Sequence, residues 1–272
     1  MQPIEVFIRM TADSATPMSG GTRPSWFSKE VCFQSVWNYK DDYTRITVLF
    51  DGDIPENHWI FNYCTQEKTD TGPPLHIVNM NAGSGHASLL LQLAYATSQS
   101  LDDNTIVYIL EDDYLHCPDW PKILREGLTT SHMQPAIPFD YITLYDHRDK
   151  YTLKMYEGLV SQIAFTESCH WRTIPSTTDT FACRFKTLKT DAPITAHFYN
   201  ADHERFLYLG RHHGRRIGSC IPAYSTHAHS DFISPCMHLG GNRRHVFAPK
   251  KKENLPGKPQ DIDGSCPIQN SG

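Results

Sequence analysis

The sequence predicts an open, mixed α/β sheet in one domain, and three features predict it. Four short runs, at residues 6–10, 46–50, 76–80 and 105–110, are apolar nearly throughout and rich in β-branched or aromatic side chains, as expected of strands buried on both faces of a parallel sheet. Two segments between them, 28–39 and 84–98, carry helical patterning. The resulting alternation of strand, helix, strand, loop, strand, helix and strand is that of an open α/β sheet, in which ligands bind outside the carboxyl ends of the strands.

Each element has its own justification. Segment 28–39 begins with Ser28 in an N-cap position and places Cys32, Phe33, Val36 and Trp37 on one face, with Val31, Ser35 and Asn38 on another. The strand at 46–50 ends in Asp51-Gly52-Asp53. The strand at 76–80 runs into the loop Asn81-Ala82-Gly83-Ser84-Gly85, whose small residues suit close approach to a ligand at a helix start. The helix that follows carries Leu89, Leu90, Leu93, Ala94 and Ala96. In the second half, 141–145 reads as a strand, 159–165 and 180–185 as a strand pair joined by a polar turn, 194–210 as mostly helical and 216–221 as a last strand. Residues 248–272 are poor in apolar side chains and read as a disordered tail behind a domain spanning 1–247.

Composition narrows the function classes. Hydrophobic residues make up 39% and charged residues 20% of the 272, with no run near the ~18 apolar residues of a membrane span, so no transmembrane segment is expected. A net charge of -5 gives no global field for holding a nucleic acid. The eight cysteines are dispersed, without CxxC pairs or zinc-ligand spacing, and Met1-Gln2-Pro3 opens no export signal. Reduced thiols and a cytoplasmic setting are the expectation.

The strongest chemical signal is Glu111-Asp112-Asp113, three adjacent carboxylates at the end of an apolar strand. They repel one another, and a bound Mg²⁺ or Mn²⁺ shared with substrate phosphates would remove the conflict. The alternative is a solvated acidic turn in which Asp112 or Asp113 caps a helix. Arg9 on the first strand and Arg23 in the loop after it can meet an anionic ligand through bidentate contacts. Tyr145 to Tyr151 could line a second substrate or form a surface ion-pair turn. Trp171 and Arg172 could stack on a sugar, although a lone tryptophan is usually core.

Taken together, LFDGD, the Gly/Ser loop, YILEDDYLHCPDW, DYITLYDHRDKY, HWRTIPSTTDTFACR and IPAYSTH resemble the GT-A glycosyltransferases, of the family 2-like kind with EDDY and STH blocks. The resemblance covers about residues 5–240. It implies a GT-A, Rossmann-like sheet with a nucleotide-binding half over about 1–120 and an acceptor half over 121–247. It also implies a metal-dependent transfer from a UDP- or GDP-type sugar to a hydroxyl of a saccharide or glycan. The resemblance places Asp51, Glu111 and Asp112 at the donor, with Glu111 standing where the motif has its first Asp, and the reading of the residues adds Arg9, Gly83 and Ser84 as donor-binding candidates. The metal, Mn²⁺ or Mg²⁺, falls to Asp113 and His227, with His229 two residues beyond as the other candidate. For an inverting transfer the base is Asp202, in a segment where Ala201 replaces the usual Glu, and Glu204 is the second candidate. Both acids could instead complement a helix dipole.

Two other readings stay open. A sugar-phosphate nucleotidyltransferase would carry a compact Gly-rich loop directly after the first strand, whereas Gly20-Gly21-Thr22-Arg23 comes late. A non-catalytic nucleotide- or carbohydrate-binding module would not need acids both at 111–113 and at 202.

Overall fold

Alternate residues of the first strand serve two different cores, and this organises the molecule. The computed structural model describes residues 1–12, 22–64, 75–198, 201–235, 237 and 268–270. Its strands are β1 (Ile4–Thr11), β2 (Thr44–Asp51), β3 (His76–Met80), β4 (Ile106–Glu111), β5 (Tyr114–His116), β6 (Tyr141–Thr143), β7 (Ile163–Phe165), β8 (His170–Ile174), β9 (Phe181–Arg184), β10 (Ile217–Ile221), β11 (Ser225–His227) and β12 (Ile268–Asn270). Its α-helices are α1 (Lys29–Trp37), α2 (Phe61–Cys64), α3 (Gly85–Ser98), α4 (Trp120–Leu128), α5 (Asp149–Thr152), α6 (Phe185–Thr195) and α7 (Asp202–His213).

One large sheet has the order β12-β3-β2-β1-β4-β9-β6-β10-β8-β7, and β11 pairs with β5 in a small second sheet. Strands β3, β2, β1 and β4 are parallel, in the Rossmann order, whereas β9 runs antiparallel between β4 and β6. The sheet is therefore open and mixed, as the sequence predicts. Ile4, Val6, Ile8 and Met10 pack in one core with Phe33 of α1 and Trp120, Ile123 and Leu124 of α4. Phe7 faces the other, with Leu89 and Leu93 of α3 and Phe206 of α7. The period of two along a strand is what splits these side chains between layers.

The first half follows the sequence closely. Ser28 caps α1 by accepting from Val31 N–H (3.0 Å), and Ser84 caps α3 by accepting from Ala87 N–H (3.2 Å). The second half departs from expectation. Residues 163–165 pair with β8, not with 180–185, and β9 lies between β4 and β6. Helix α6 begins at Phe185, where a strand was expected to end, and α7 begins only at Asp202. Three- to five-residue strands are too short for alternation to fix their partners. The expected tail, 248–272, falls outside the described residues except for Ile268–Asn270, an edge strand parallel to β3. Among the described residues no helix is long and apolar enough to cross a membrane.

Candidate active site

The carboxyl ends of β1 and β4 bring the first charged pair together. Arg9 is two residues beyond Phe7 and Glu111 two beyond Ile109, so both project from the α3 face, and the strand register sets Arg9 beside Glu111. An Arg9 Nη2 hydrogen donates to Glu111 Oε1 at 2.5 Å, and Nη1 donates to the carbonyl of Gly85 at 2.7 Å. The same guanidinium lies 3.5 Å from Asp179.

Asp112 and Asp113 each have cations of their own. Lys29 Nζ, at the start of α1, is 2.9 Å from Asp112 and also donates to Thr11 Oγ1 (2.7 Å). Asp113 Oδ2 accepts from Arg23 Nη1 and meets His227 Nε2, each at 2.9 Å. Arg23 also donates to the Ala228 carbonyl (2.7 Å) and lies over the Phe27 ring at 4.4 Å. The repulsion within the triplet is thus offset by side chains of the protein itself. No helix follows directly for Asp112 or Asp113 to cap, because β5 begins at Tyr114.

The protonation behaviour follows these partners. Burial pushes Asp113 up, but His227 and Arg23 outweigh it and hold the carboxyl down to about 2. Burial raises Glu111, against Arg9 and with the help of Asp113 and Asp179. Asp112 is likewise raised by burial, against Lys29. His227 is favoured in its protonated form, because Asp113 and Glu111 outweigh its burial.

His227 arrives through strand pairing. In the β5–β11 sheet it stands opposite Tyr114, its ring stacked on the tyrosine at 5.0 Å, and Ala228 N–H donates to the Asp113 carbonyl at 2.8 Å. The EDDY and STH blocks are therefore hydrogen-bonded neighbours. His229 Nδ1 accepts from Asp231 N–H at 3.2 Å, and its ring lies 5.8 Å from that of His227.

The second cluster lies at the start of α7. Arg205 is 3.0 Å from Asp179, so Asp179 bridges Arg205 and Arg9. Asp202 accepts from His203 N–H at 2.8 Å, and burial followed by the charge of Asp179 raises its carboxyl above the usual range. Glu204 is exposed. The His203 ring meets Ser176 Oγ (2.9 Å) and the Tyr156 hydroxyl (3.2 Å) through Nδ1. Sequence reasoning missed Asp179, Arg205 and Lys29 as members of the cluster. The available signal for Asp179 is an acid among threonines two residues before the apolar strand β9.

The other expected residues divide in two. Asp51 accepts from Ala82 N–H (2.8 Å), Gly83 has φ +74°, and Ser84 caps α3, so these three shape the loops at the carboxyl ends of β2 and β3. Trp171 and Arg172 are packed inside the protein. Trp171 is fully buried, and Arg172 pairs at 2.7 Å with Asp146, itself buried and bonded by Tyr151.

Among the described residues no group of three or more His, Cys, Asp or Glu side chains is arranged to hold a metal ion. Asp113 and His227 nevertheless fit as two ligands, since Asp113 Oδ1 is a buried acceptor without a hydrogen-bond partner and carboxylate plus imidazole suits Mn²⁺.

No family model matches this chain, and no curated protein matches it. Among solved structures it is similar to the mannosyltransferase PcManGT from Pyrobaculum calidifontis in complex with GDP-Man and Mn²⁺, at 12% identity over 82% of this chain and 57% of that one, with a TM-score of 0.47. It is also similar to the galactosyltransferase LgtC in complex with donor and acceptor sugar analogues, at 11% identity over 75% and 69% of the two chains and a TM-score of 0.42. A third similar structure is 4-diphosphocytidyl-2C-methyl-D-erythritol synthase from Anaerococcus prevotii, at 12% identity over 82% and 89% and a TM-score of 0.43. At these values the likenesses assign no activity to this chain.

Proposed function

We propose that this protein is a GT-A-type glycosyltransferase that moves a sugar from a UDP- or GDP-type donor to a hydroxyl of a saccharide or glycan, with inversion. The observation that carries this reading is the continuous charged chain Glu111, Arg9, Asp179, Arg205, which joins the acidic strand end to the helix bearing Asp202. The acidic strand end and a carboxyl of raised proton affinity are thereby linked through one run of ion pairs.

In this reading the donor diphosphate lies at the carboxyl ends of β1 to β4, where Arg9 and Arg23 offer guanidinium donors and the Gly83-Ser84 loop permits close approach. Asp51 and Glu111 face the nucleoside and ribose, with Asp112 beside them held by Lys29. Asp202 takes the proton of the acceptor hydroxyl as that oxygen attacks the anomeric carbon. The bond from that carbon to the diphosphate breaks, its electron pair leaving with the nucleoside diphosphate. A carboxyl raised by burial is the better base near neutral pH. Asp113 and His227 would hold Mn²⁺ or Mg²⁺, which when bound supplies charge stabilisation for the departing diphosphate.

The test is a panel of UDP- and GDP-sugars assayed for nucleoside diphosphate release with Mn²⁺ and with EDTA. Metal-dependent diphosphate release supports the reading. Pyrophosphate release from a nucleoside triphosphate and a sugar phosphate would replace it with nucleotidyl transfer, and binding without turnover would replace it with a binding module.

A further inference from the structure

Seven of the eleven exposed large hydrophobic residues among the described residues fall within 151–165. Single exposed apolar side chains are ordinary on a protein surface, but a contiguous group marks an interaction site. Leu153, Met155, Leu159 and Val160 are exposed, Val160 to 89%, and on β7 both Ile163 and Phe165 point outward while Ala164 between them is buried. A groove of about 420 Å³ adjoins this face, lined by Val160, Gln162, Thr173, Leu207, Arg211 and Arg216. Arg215 in the same groove is committed to Asp191 and Asp140. Arg211 and Arg216 are exposed and have no ion pair among the described residues. Within 153–165 the one exposed acid, Glu157, is matched in number by one exposed base, Lys154.

We propose that the 153–165 face, together with Arg211 and Arg216, docks this protein on an anionic lipid bilayer. The chemistry is complementary on both counts: aliphatic and aromatic side chains enter the interfacial region, and the two free guanidinium groups meet the lipid phosphates. A second copy of the chain fits the same face less well. The outer edge of β7 is already engaged at Phe165, which exchanges both backbone hydrogen bonds with Gln134 (2.8 and 2.9 Å), so the edge offers no free ladder there. A twofold pairing would also bring four unpaired arginines into one interface. The inference is independent of the glycosyltransferase reading.

The experiment is co-sedimentation of the full chain with vesicles of phosphatidylcholine alone and of phosphatidylcholine with phosphatidylglycerol. The expected result is binding to the anionic vesicles only, weakened by salt, reduced roughly tenfold or more in Arg211→Glu/Arg216→Glu and lost in Val160→Asp/Phe165→Asp. All four side chains are exposed, and unchanged melting temperatures establish that both variants fold. No binding to either vesicle, equal binding to both, or binding indifferent to these substitutions overturns the proposal. A dimer in light scattering that Val160→Asp/Phe165→Asp dissociates, without lipid binding by the parent, also overturns it and makes the face a self-interface.

Discussion

Arg9 and Glu111 stand side by side on β1 and β4, a guanidinium nitrogen 2.5 Å from the carboxylate. The charge of Glu111 is thereby offset within the protein, as that of Asp112 is by Lys29. Only in the third acid does a buried carboxylate oxygen remain without a partner, at Asp113.

The first prediction follows from that difference. Asp113→Asn is expected to weaken Mn²⁺-dependent binding of a nucleoside diphosphate at least about tenfold, read by calorimetry, because a neutral amide oxygen binds a divalent cation more weakly than a carboxylate does. His227→Ala is expected to weaken the diphosphate more than the free nucleoside. Equal losses for the two ligands would remove His227 from the phosphate end.

Asp202→Asn should leave donor affinity nearly unchanged and lower kcat by roughly 10²-fold or more, the scale of a lost general base. Glu204→Gln should be mild, since Glu204 is exposed. The opposite ranking would move the base to Glu204.

The pH profile has a defined sign. Burial and Asp179 raise the Asp202 carboxyl, and a general base works only when ionised, so with Asp202 in the proposed role activity should climb with pH through a limb lying above the ordinary aspartate value of about 3.9. Asp179→Asn removes the like charge and should move that limb to lower pH. The same group acts on stability: its folded pKa is raised, so its contribution is present below about 3.9 and is lost as pH rises through the raised value. Asp202→Asn should abolish that part of the decline in a melting series across pH.

Gly127→Ala tests the packing around Trp171. A Cβ on Gly127 would stand 2.6 Å from Trp171 Cζ2, against a ring with no exposed surface. Alanine in a helix ordinarily stabilises by about 1 kcal/mol relative to glycine. Here overpacking should outweigh it and give a net loss of about 1–2 kcal/mol in thermal unfolding.

The amino-acid sequence by itself determined the elements whose signals are local. The apolar runs of β1 to β4, the serine caps at 28 and 84 and the alternation that sends Ile8 and Arg9 to opposite faces all depend on residues a few positions apart. It also marked Glu111-Asp112-Asp113, because three adjacent carboxylates after an apolar run are conspicuous without any fold. Only the tertiary structure decided what those acids meet. Arg23 and His227 converge on Asp113 from 90 and 114 residues away, and Asp179 joins Arg9 to Arg205. Tertiary structure likewise paired β7 with β8 and inserted β9 beside β4, where the sequence suggested that 159–165 and 180–185 pair with each other. The physical reason is common to these cases. A charge partner and a strand partner are selected by which segments the whole chain brings within a few ångströms, and short strands or isolated arginines carry no local periodicity that records the choice.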